Sequence, residues 1–160
     1  MLFRSAEGLR TFKPTARRFE VRADVNGIAV VDDYAHNPMS IRAVLQAARQ
    51  RYPDRTIWAV WQPHTYSRTQ ALFNEFAQAF TDADHVLITD IYPAREQPIA
   101  GVDTPALVAA MNHADVRHTA AFEDAVNVLV KQVKSPAVVL IMSAGDAPVI
   151  GVDFLKAIQG

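Results

Sequence analysis

Two polar loops, each directly after a predicted buried strand, hold the side chains best suited to binding a ligand. The first is Asp32-Asp33-Tyr34-Ala35-His36-Asn37-Pro38, which combines two carboxylates, a phenol, an imidazole and a carboxamide. Such groups can hydrogen-bond an adenine, a ribose or an amine. A structural alternative stays open, in which Asp32 or Asp33 satisfies loop amides and Asn37-Pro38 starts a helix.

The second loop is Gln62-Pro63-His64-Thr65-Tyr66-Ser67-Arg68-Thr69. It places His64 and Arg68 four residues apart just before a predicted helix, where free backbone amides and a guanidinium suit an anion. A carboxylate or a phosphate is the expected ligand. The alternative is that Arg68 pairs with an acidic side chain such as Glu75 on the surface.

Two further loops, Asp90 to Pro98 and Ser143 to Gly151, follow predicted strands and could line the same cleft. Neither contains a phosphate-cradling motif: the chain has no G-x-x-x-x-G-K-[ST] and no G-x-G-x-x-G. It also has no cysteine, no G-x-S-x-G and no H-E-x-x-H, which argues against thiolate catalysis, a self-contained serine hydrolase or a zinc protease. The histidines His85, His113 and His118 lack metal-ligand spacing and are expected to be structural; no metal site is expected.

The composition and charge of the chain indicate one globular domain and argue against nucleic-acid-binding and membrane proteins. The 160 residues, 50% hydrophobic and 21% charged, fit one globular domain. A net charge of -1 provides no field that would draw the chain to nucleic acid or to an anionic membrane. No stretch approaches the roughly 18 continuous apolar residues of a membrane-spanning helix, so a cytoplasmic location is expected.

Hydrophobic spacing predicts the elements that hold these loops. The alternation from Phe19 to Val25, the dipeptide Asn26-Gly27 and the run Ile28 to Val31 predict a hairpin with a type I′ turn. Apolar residues at three- and four-residue spacing predict helices, and short β-rich runs predict strands. The further predicted strands are Thr56 to Trp61, His85 to Thr89, Val116 to His118 and Ala137 to Met142. The predicted helices contain Ile41 to Ala48, Leu72 to Phe80, Ala125 to Val133 and Val152 to Ile158, with one more from about Pro105.

This alternation predicts an α/β fold, a Rossmann-like, doubly wound and mostly parallel six-stranded sheet with an antiparallel edge strand. The apolar run Ala137 to Met142 indicates a strand covered by helices on both faces. Ligands of such sheets bind beyond the carboxyl ends of the strands, where the polar loops are expected. Residues 1–17 are polar and aperiodic, so we expect a lead-in from a preceding domain there and the folded domain over residues 18–160.

Five blocks, taken in order, resemble the signature of the C-terminal domains of the Mur ligase family. They are Arg17-Arg18-Phe19-Glu20, the two polar loops described above, Asp90-Ile91-Tyr92-Pro93-Ala94-Arg95-Glu96 and Ala144-Gly145-Asp146. The resemblance covers nearly the whole chain. The first two blocks are shared with the wider superfamily that includes folylpolyglutamate synthase, whereas the Gln-Pro-His-x-Tyr-Ser-Arg-Thr block is similar mainly to the L-alanine-adding members.

The resemblance implies a domain of an ATP-dependent ligase that joins L-alanine to UDP-N-acetylmuramate in the synthesis of peptidoglycan precursors. In this family a central P-loop domain binds ATP and Mg²⁺ and phosphorylates the sugar-linked carboxylate. The C-terminal domain then closes to present an amino acid to the acyl phosphate. The implied partners are the N-terminal and central domains of the same ligase, and without a P-loop the chain is expected to be inactive alone.

The same resemblance assigns roles to individual residues. The implied amino-acid-binding residues are His64, Arg68 and Tyr34. The implied nucleotide-binding residues are Arg18, Asp33, Tyr34, His36 and Asn37. No self-contained catalytic residue is expected. Arg68 is the cation expected to bind the carboxylate of a zwitterionic amino acid.

The chain departs from the pattern of the alanine-adding members at three positions. Asn37 stands where they usually carry a second histidine, Ser143 where they carry glycine, and Thr65 where some carry arginine. The identity of the amino acid and of the sugar nucleotide therefore stays open. The alternatives are another ligase of the superfamily, such as the murein tripeptide ligase that shares the Asp-Asp-x-Ala-His loop, and a non-catalytic ligand-binding module of the same fold.

Overall fold

The computed structural model describes residues 17–160, so the expected lead-in lies outside the described residues except for Arg17. The described chain begins with an antiparallel hairpin of strands β1 (Glu20–Val25) and β2 (Ile28–Asp33). Asn26 and Gly27 have φ values of 52° and 80°, as a type I′ turn requires at both central positions. The predicted hairpin is confirmed.

The remaining elements alternate between helix and strand. In chain order they are α1 (Pro38–Arg51), β3 (Thr56–Trp61), α2 (Tyr66–Ala71), α3 (Phe73–Ala77), β4 (His85–Ile88), α4 (Thr104–Ala110), β5 (Val116–His118), α5 (Phe122–Gln132), β6 (Ala137–Met142) and α6 (Pro148–Gln159). Among residues 17–160, no helix combines the length and the apolar character that a bilayer span requires.

The six strands form one sheet in the order β1-β2-β6-β3-β4-β5. Only the edge pair β1 and β2 is antiparallel, and all other neighbours are parallel. The predicted doubly wound α/β sheet with an antiparallel edge is thereby confirmed. Because β2 and β3 both pair with β6, the carboxyl ends of these three strands lie side by side.

The sheet separates two hydrophobic cores. Ile41 and Leu45 of α1, Phe76 of α3 and Leu107 of α4 pack on one face, whereas α5 and α6 cover the other. Every residue of β6 is buried, which confirms that helices cover this apolar strand on both faces.

The tryptophans and three of the histidines contribute to this framework. Trp61 is fully buried with its ring 4.6 Å from that of Phe76, and Trp58 stacks on His85 at 4.0 Å. His113 Nε2 lies 3.0 Å from the carbonyl oxygen of Ala83, and His118 Nε2 lies 2.6 Å from Asp90 Oδ1. Each of these three histidines contacts another part of the framework, which agrees with the structural role expected for it.

Two helices differ from the sequence prediction. The single helix expected around Leu72 to Phe80 is two short helices, because Leu72 has φ −116° and ψ 23°, outside the helical region. Leu72 and Phe73, at the break, are partly buried against the core, and Phe76 of α3 is buried within it. The final helix begins at Pro148, four residues before the predicted start at Val152, with proline in its first turn.

Candidate functional site

The loops after β2, β6 and β3 meet at one edge of the sheet. The backbone N–H of Ser143 donates to the carbonyl of Asp33 at 3.0 Å, and that of Gln62 donates to the carbonyl of Met142 at 3.1 Å. The chain leaves β2 and β3 on one side of the sheet and β6 on the other, so this edge is a topological switch point, where α/β sheets bind ligands. We call this edge the rim.

A cleft of about 420 Å³ opens beside the loop after β2. It is lined by Arg18, Phe19, Asp33, Tyr34, Ala35, His36, Asn37, Ser40, Ala43 and Val44. All five predicted nucleotide-binding residues are in this set. Tyr34 is 47% exposed, lies edge-on to His36 at 5.2 Å, and has the Arg17 guanidinium 5.3 Å from its ring centre. A half-exposed aromatic ring beside a guanidinium offers a stacking surface for a base.

Several polar groups of this loop also have structural partners. Asp33 is buried and accepts hydrogen bonds of 2.7 Å from the N–H groups of Phe19 and Ala35. Burial raises the pKa of Asp33, and those two hydrogen bonds oppose the rise. Asn37 caps α1 by accepting from the N–H of Ser40 at 2.9 Å. The structural alternative therefore holds for these contacts, and the nucleotide-binding roles of Asp33 and Asn37 stay predictions.

His64 and Arg68 lie together at the start of α2. Arg68 Nη1 is 3.2 Å from His64 Nδ1. A guanidinium can only donate, so Nδ1 accepts and the proton of a neutral His64 is on Nε2. Among residues 17–160, the Arg68 guanidinium forms no ion pair, and the alternative pairing with Glu75 is absent. The remaining N–H groups of Arg68 and the Nε2–H of His64 are donors suited to a carboxylate.

The electrostatics of His64 link the two polar loops. Burial lowers the pKa of His64, and electrostatic interactions with Arg68 and His36 lower it further, whereas Glu96 opposes them. His36 belongs to the loop after β2 and Arg68 follows β3, so groups from both polar loops affect the pKa of His64. His64 is accordingly neutral at pH 7, which preserves Nδ1 as the acceptor for Arg68.

An NMR titration of the chain should show His64 titrating below its ordinary pKa of about 6.5. Arg68→Gln should raise this midpoint, because a neighbouring positive charge is removed. Since the folded pKa is the lower one, the unfolded chain binds more protons below about pH 6.5. The stability associated with neutral His64 is therefore complete above that pH and declines as pH falls. A midpoint at or above 6.5 in the folded chain would contradict this assignment.

The loop after β4 supports the His64 side of the rim. The ring of Tyr92 stacks on that of His64 at 5.5 Å, and the N–H of Thr65 donates to the carbonyl of Tyr92 at 2.9 Å. Thr65 has φ 68° and ψ 144°, a region that β-branched residues rarely enter and that costs roughly 1–3 kcal/mol. The surrounding bonds hold this strained conformation next to the candidate anion site.

Two side chains were quoted in sequence blocks but not selected as site residues. Gln62 is buried and bridges to the loop after β6: its Oε1 accepts from Ser143 Oγ at 2.7 Å, and its Nε2 donates to Asp146 Oδ1 at 2.8 Å. Glu96 accepts from Ser67 and so occupies an amide that the sequence left available for an anion. Their partners lie 81, 84 and 29 residues away, beyond any local pattern.

The chain is an open, doubly wound α/β domain with a polar rim at its switch point, the place where domains of this class bind ligands. Residues 17–145 match the Mur ligase, glutamate ligase domain family. The chain belongs to the Mur ligase family and forms its C-terminal domain. In the described residues, no group of three or more His, Asp or Glu side chains is arranged to hold a metal ion.

Individual members of this family are similar to the chain in sequence and in fold. The chain is 42% identical over 152 residues to the UDP-N-acetylmuramate–L-alanine ligase of Desulfatibacillum aliphaticivorans, covering 93% of this chain and 33% of the relative. Its fold is similar to that of the UDP-N-acetylmuramate-alanine ligase of Thermotoga maritima, with a TM-score of 0.72, 25% identity, and coverage of 96% of this chain and 32% of that one. A murein peptide ligase of Psychrobacter arcticus has a TM-score of 0.74 at 24% identity, over 98% of this chain and 32% of that one. The chain thus spans about a third of the length of these relatives.

Proposed function

We propose that this chain is the amino-acid-accepting domain of an ATP-dependent ligase that joins L-alanine to UDP-N-acetylmuramate in the cytoplasm. One observation carries the proposal: an Arg68 guanidinium without an ion-pair partner in the described chain lies beside His64, at the switch point of the sheet. The 42% identity to an L-alanine ligase supports alanine as the amino acid.

The N–H donors at the rim suit the carboxylate end of a zwitterionic amino acid. Arg68 and the Nε2–H of His64 bind the amino-acid carboxylate, and Tyr34 on the facing loop closes the pocket. Holding the carboxylate orients the amine toward the electrophile, which converts a bimolecular encounter into an oriented reaction. Docking of the rim on a neighbouring domain would also exclude water and protect a hydrolysable acyl phosphate.

The cleft beside the loop after β2 is the proposed nucleotide contact. Arg18 provides a cation for a phosphate, and the exposed face of Tyr34 provides a stacking surface, with Asp33, His36 and Asn37 around them. ATP and Mg²⁺ are bound mainly by the central domain of the ligase. That domain and the N-terminal domain are the proposed partners of this one.

A ligase for a different acceptor is the second candidate. The TM-score of 0.74 to a murein peptide ligase supports it at the level of the fold alone. Asn37 and Ser143, where alanine-adding members usually carry other residues, also favour it. The Gln-Pro-His-x-Tyr-Ser-Arg-Thr block favours alanine, because it is similar mainly to the corresponding block of the L-alanine-adding members.

Phosphate release by a chimera tests both candidates. In this chimera the chain replaces the matching third of the Desulfatibacillum aliphaticivorans relative. We expect phosphate release that requires ATP, UDP-N-acetylmuramate and L-alanine together, and at most weak release with glycine, L-serine or a murein tripeptide. The chain alone should release none.

The control is the unaltered relative, assayed in parallel with the same amino acids. A chimera that folds, as judged by a cooperative melt, but responds to the tripeptide and not to L-alanine would favour the second candidate. A folded chimera that releases no phosphate with any acceptor would favour a ligand-binding module without catalysis.

A further inference from the structure

A carboxylate from the loop after β4 is bound to the first turn of the helix that carries Arg68. Glu96 Oε2 accepts from the backbone N–H of Ser67 at 2.8 Å, and Oε1 accepts from Ser67 Oγ at 2.5 Å. The two Ser67 donors lower the pKa of Glu96, so this carboxylate is ionised at neutral pH. The contact joins segments that lie 29 residues apart.

We propose that Glu96 is a positioning residue for the amino-acid carboxylate site, holding the first turn of α2 so that Arg68 stays against His64. The proposal rests on the proposed function above and names a residue beyond those that touch the amino acid. Ser67 directly precedes Arg68, so fixing the N–H and the hydroxyl of Ser67 restricts where the guanidinium can go. His64 is fixed from its other side by the stacked ring of Tyr92.

The hydrogen bonds to Ser67 also keep the Glu96 carboxylate away from the Arg68 guanidinium. Glu96 acts electrostatically on His64, which in turn contacts Arg68, so a carboxylate lies close to the cation that a substrate carboxylate needs. With both of its oxygens bound to Ser67, Glu96 is held away from the guanidinium. Charge-assisted hydrogen bonds such as these are short and directional, which suits them to holding a helix in one place.

A purely structural Glu96 would only stabilise the start of a short surface helix. The two interpretations differ in their kinetic outcome, because positioning acts on amino-acid binding and helix stability alone does not. They also differ in which substitution restores function. Glu96→Gln keeps an oxygen acceptor for Ser67 without the negative charge, whereas Glu96→Ala removes both.

Glu96→Ala in the chimera should raise the KM for L-alanine about five- to ten-fold, with kcat changed less than about two-fold and the KM for ATP unchanged. Glu96→Gln should recover most of that loss. Glu75→Ala, an exposed carboxylate on α3, is the matched control and should leave all three constants unchanged. An unchanged KM for L-alanine in a folded Glu96→Ala chimera, or a loss confined to kcat, overturns the proposal.

NMR of the chain alone provides an independent readout. Both Glu96→Gln and Glu96→Ala should lower the pKa of His64, because the one neighbouring negative charge that raises it is removed. An unchanged His64 pKa in either folded variant overturns the proposal. This readout needs no substrate, so a chimera that fails to use L-alanine would refute the proposed function while the link from Glu96 to His64 is judged separately.

Discussion

Arg68→Ala should raise the KM for L-alanine by about ten- to a hundred-fold in the chimera, the loss expected for a charge-assisted hydrogen bond of roughly 1.5–3 kcal/mol. The guanidinium has no ion-pair partner among residues 17–160, and its one side-chain hydrogen bond there is the 3.2 Å approach to His64. Its removal therefore costs the fold little and the ligand much. The effect should appear in KM more than in kcat, because the carboxylate is bound alike in the ground state and in the transition state.

Two variants sharpen this test. Arg68→Lys keeps the charge but loses the planar fork, and should give an intermediate KM. Arg42→Ala removes an exposed arginine on α1 whose one described hydrogen bond is 3.3 Å long, and should behave as the unaltered chimera does. If Arg68→Ala leaves the KM for L-alanine at its original value, the guanidinium does not bind the amino acid.

Gln62→Leu should lower the free energy of unfolding of the chain by about 2–4 kcal/mol, measured by urea denaturation. The Gln62 side chain is buried, and its Oε1 accepts from Ser143 Oγ and from the N–H of Ala147 while its Nε2 donates to Asp146. Leucine fills the space but leaves the Ser143 hydroxyl and the N–H of Ala147, which are both buried, without their acceptor. Unsatisfied buried polar groups are more costly than the hydrogen bond itself contributes.

The same substitution should weaken alanine binding, because Gln62 joins the loop after β6 to the segment that leads into His64. A methyl group on Gly145 would lie 2.6 Å from Gln62 Oε1 and 3.1 Å from Tyr92 Cγ, so Gly145 packs closely against both side chains. Gln70→Leu, on the exposed surface of α2, is the control and should change the free energy of unfolding by less than about 0.5 kcal/mol. Equal stabilities of the two variants would show that the network is dispensable.

The sequence predicts much of the fold because the relevant physics is local. The Asn26-Gly27 turn follows from the positive φ values it needs, and β6 follows from an apolar run too short for a helix. The helix around Leu72 was predicted incorrectly, because apolar spacing alone does not detect a break in the backbone. The fold class is confirmed, but the placement of β6 between β2 and β3 depends on pairing between distant residues, such as Ile28 with Ala137 and Thr56 with Ala137.

The sequence predicted part of the candidate site, and the rest is visible only in the tertiary structure. The sequence by itself determined which polar loops follow buried strands, and parallel pairing brings such loops to one edge of a sheet. Only the tertiary structure decided which of their polar groups are already occupied. Asn37 caps α1, Glu96 accepts hydrogen bonds from Ser67, and Gln62 is hydrogen-bonded to the loop after β6. Arg68, by contrast, keeps N–H donors that can bind a ligand. Hydrogen bonds between distant segments depend on strand register and helix packing, which no local run of residues encodes.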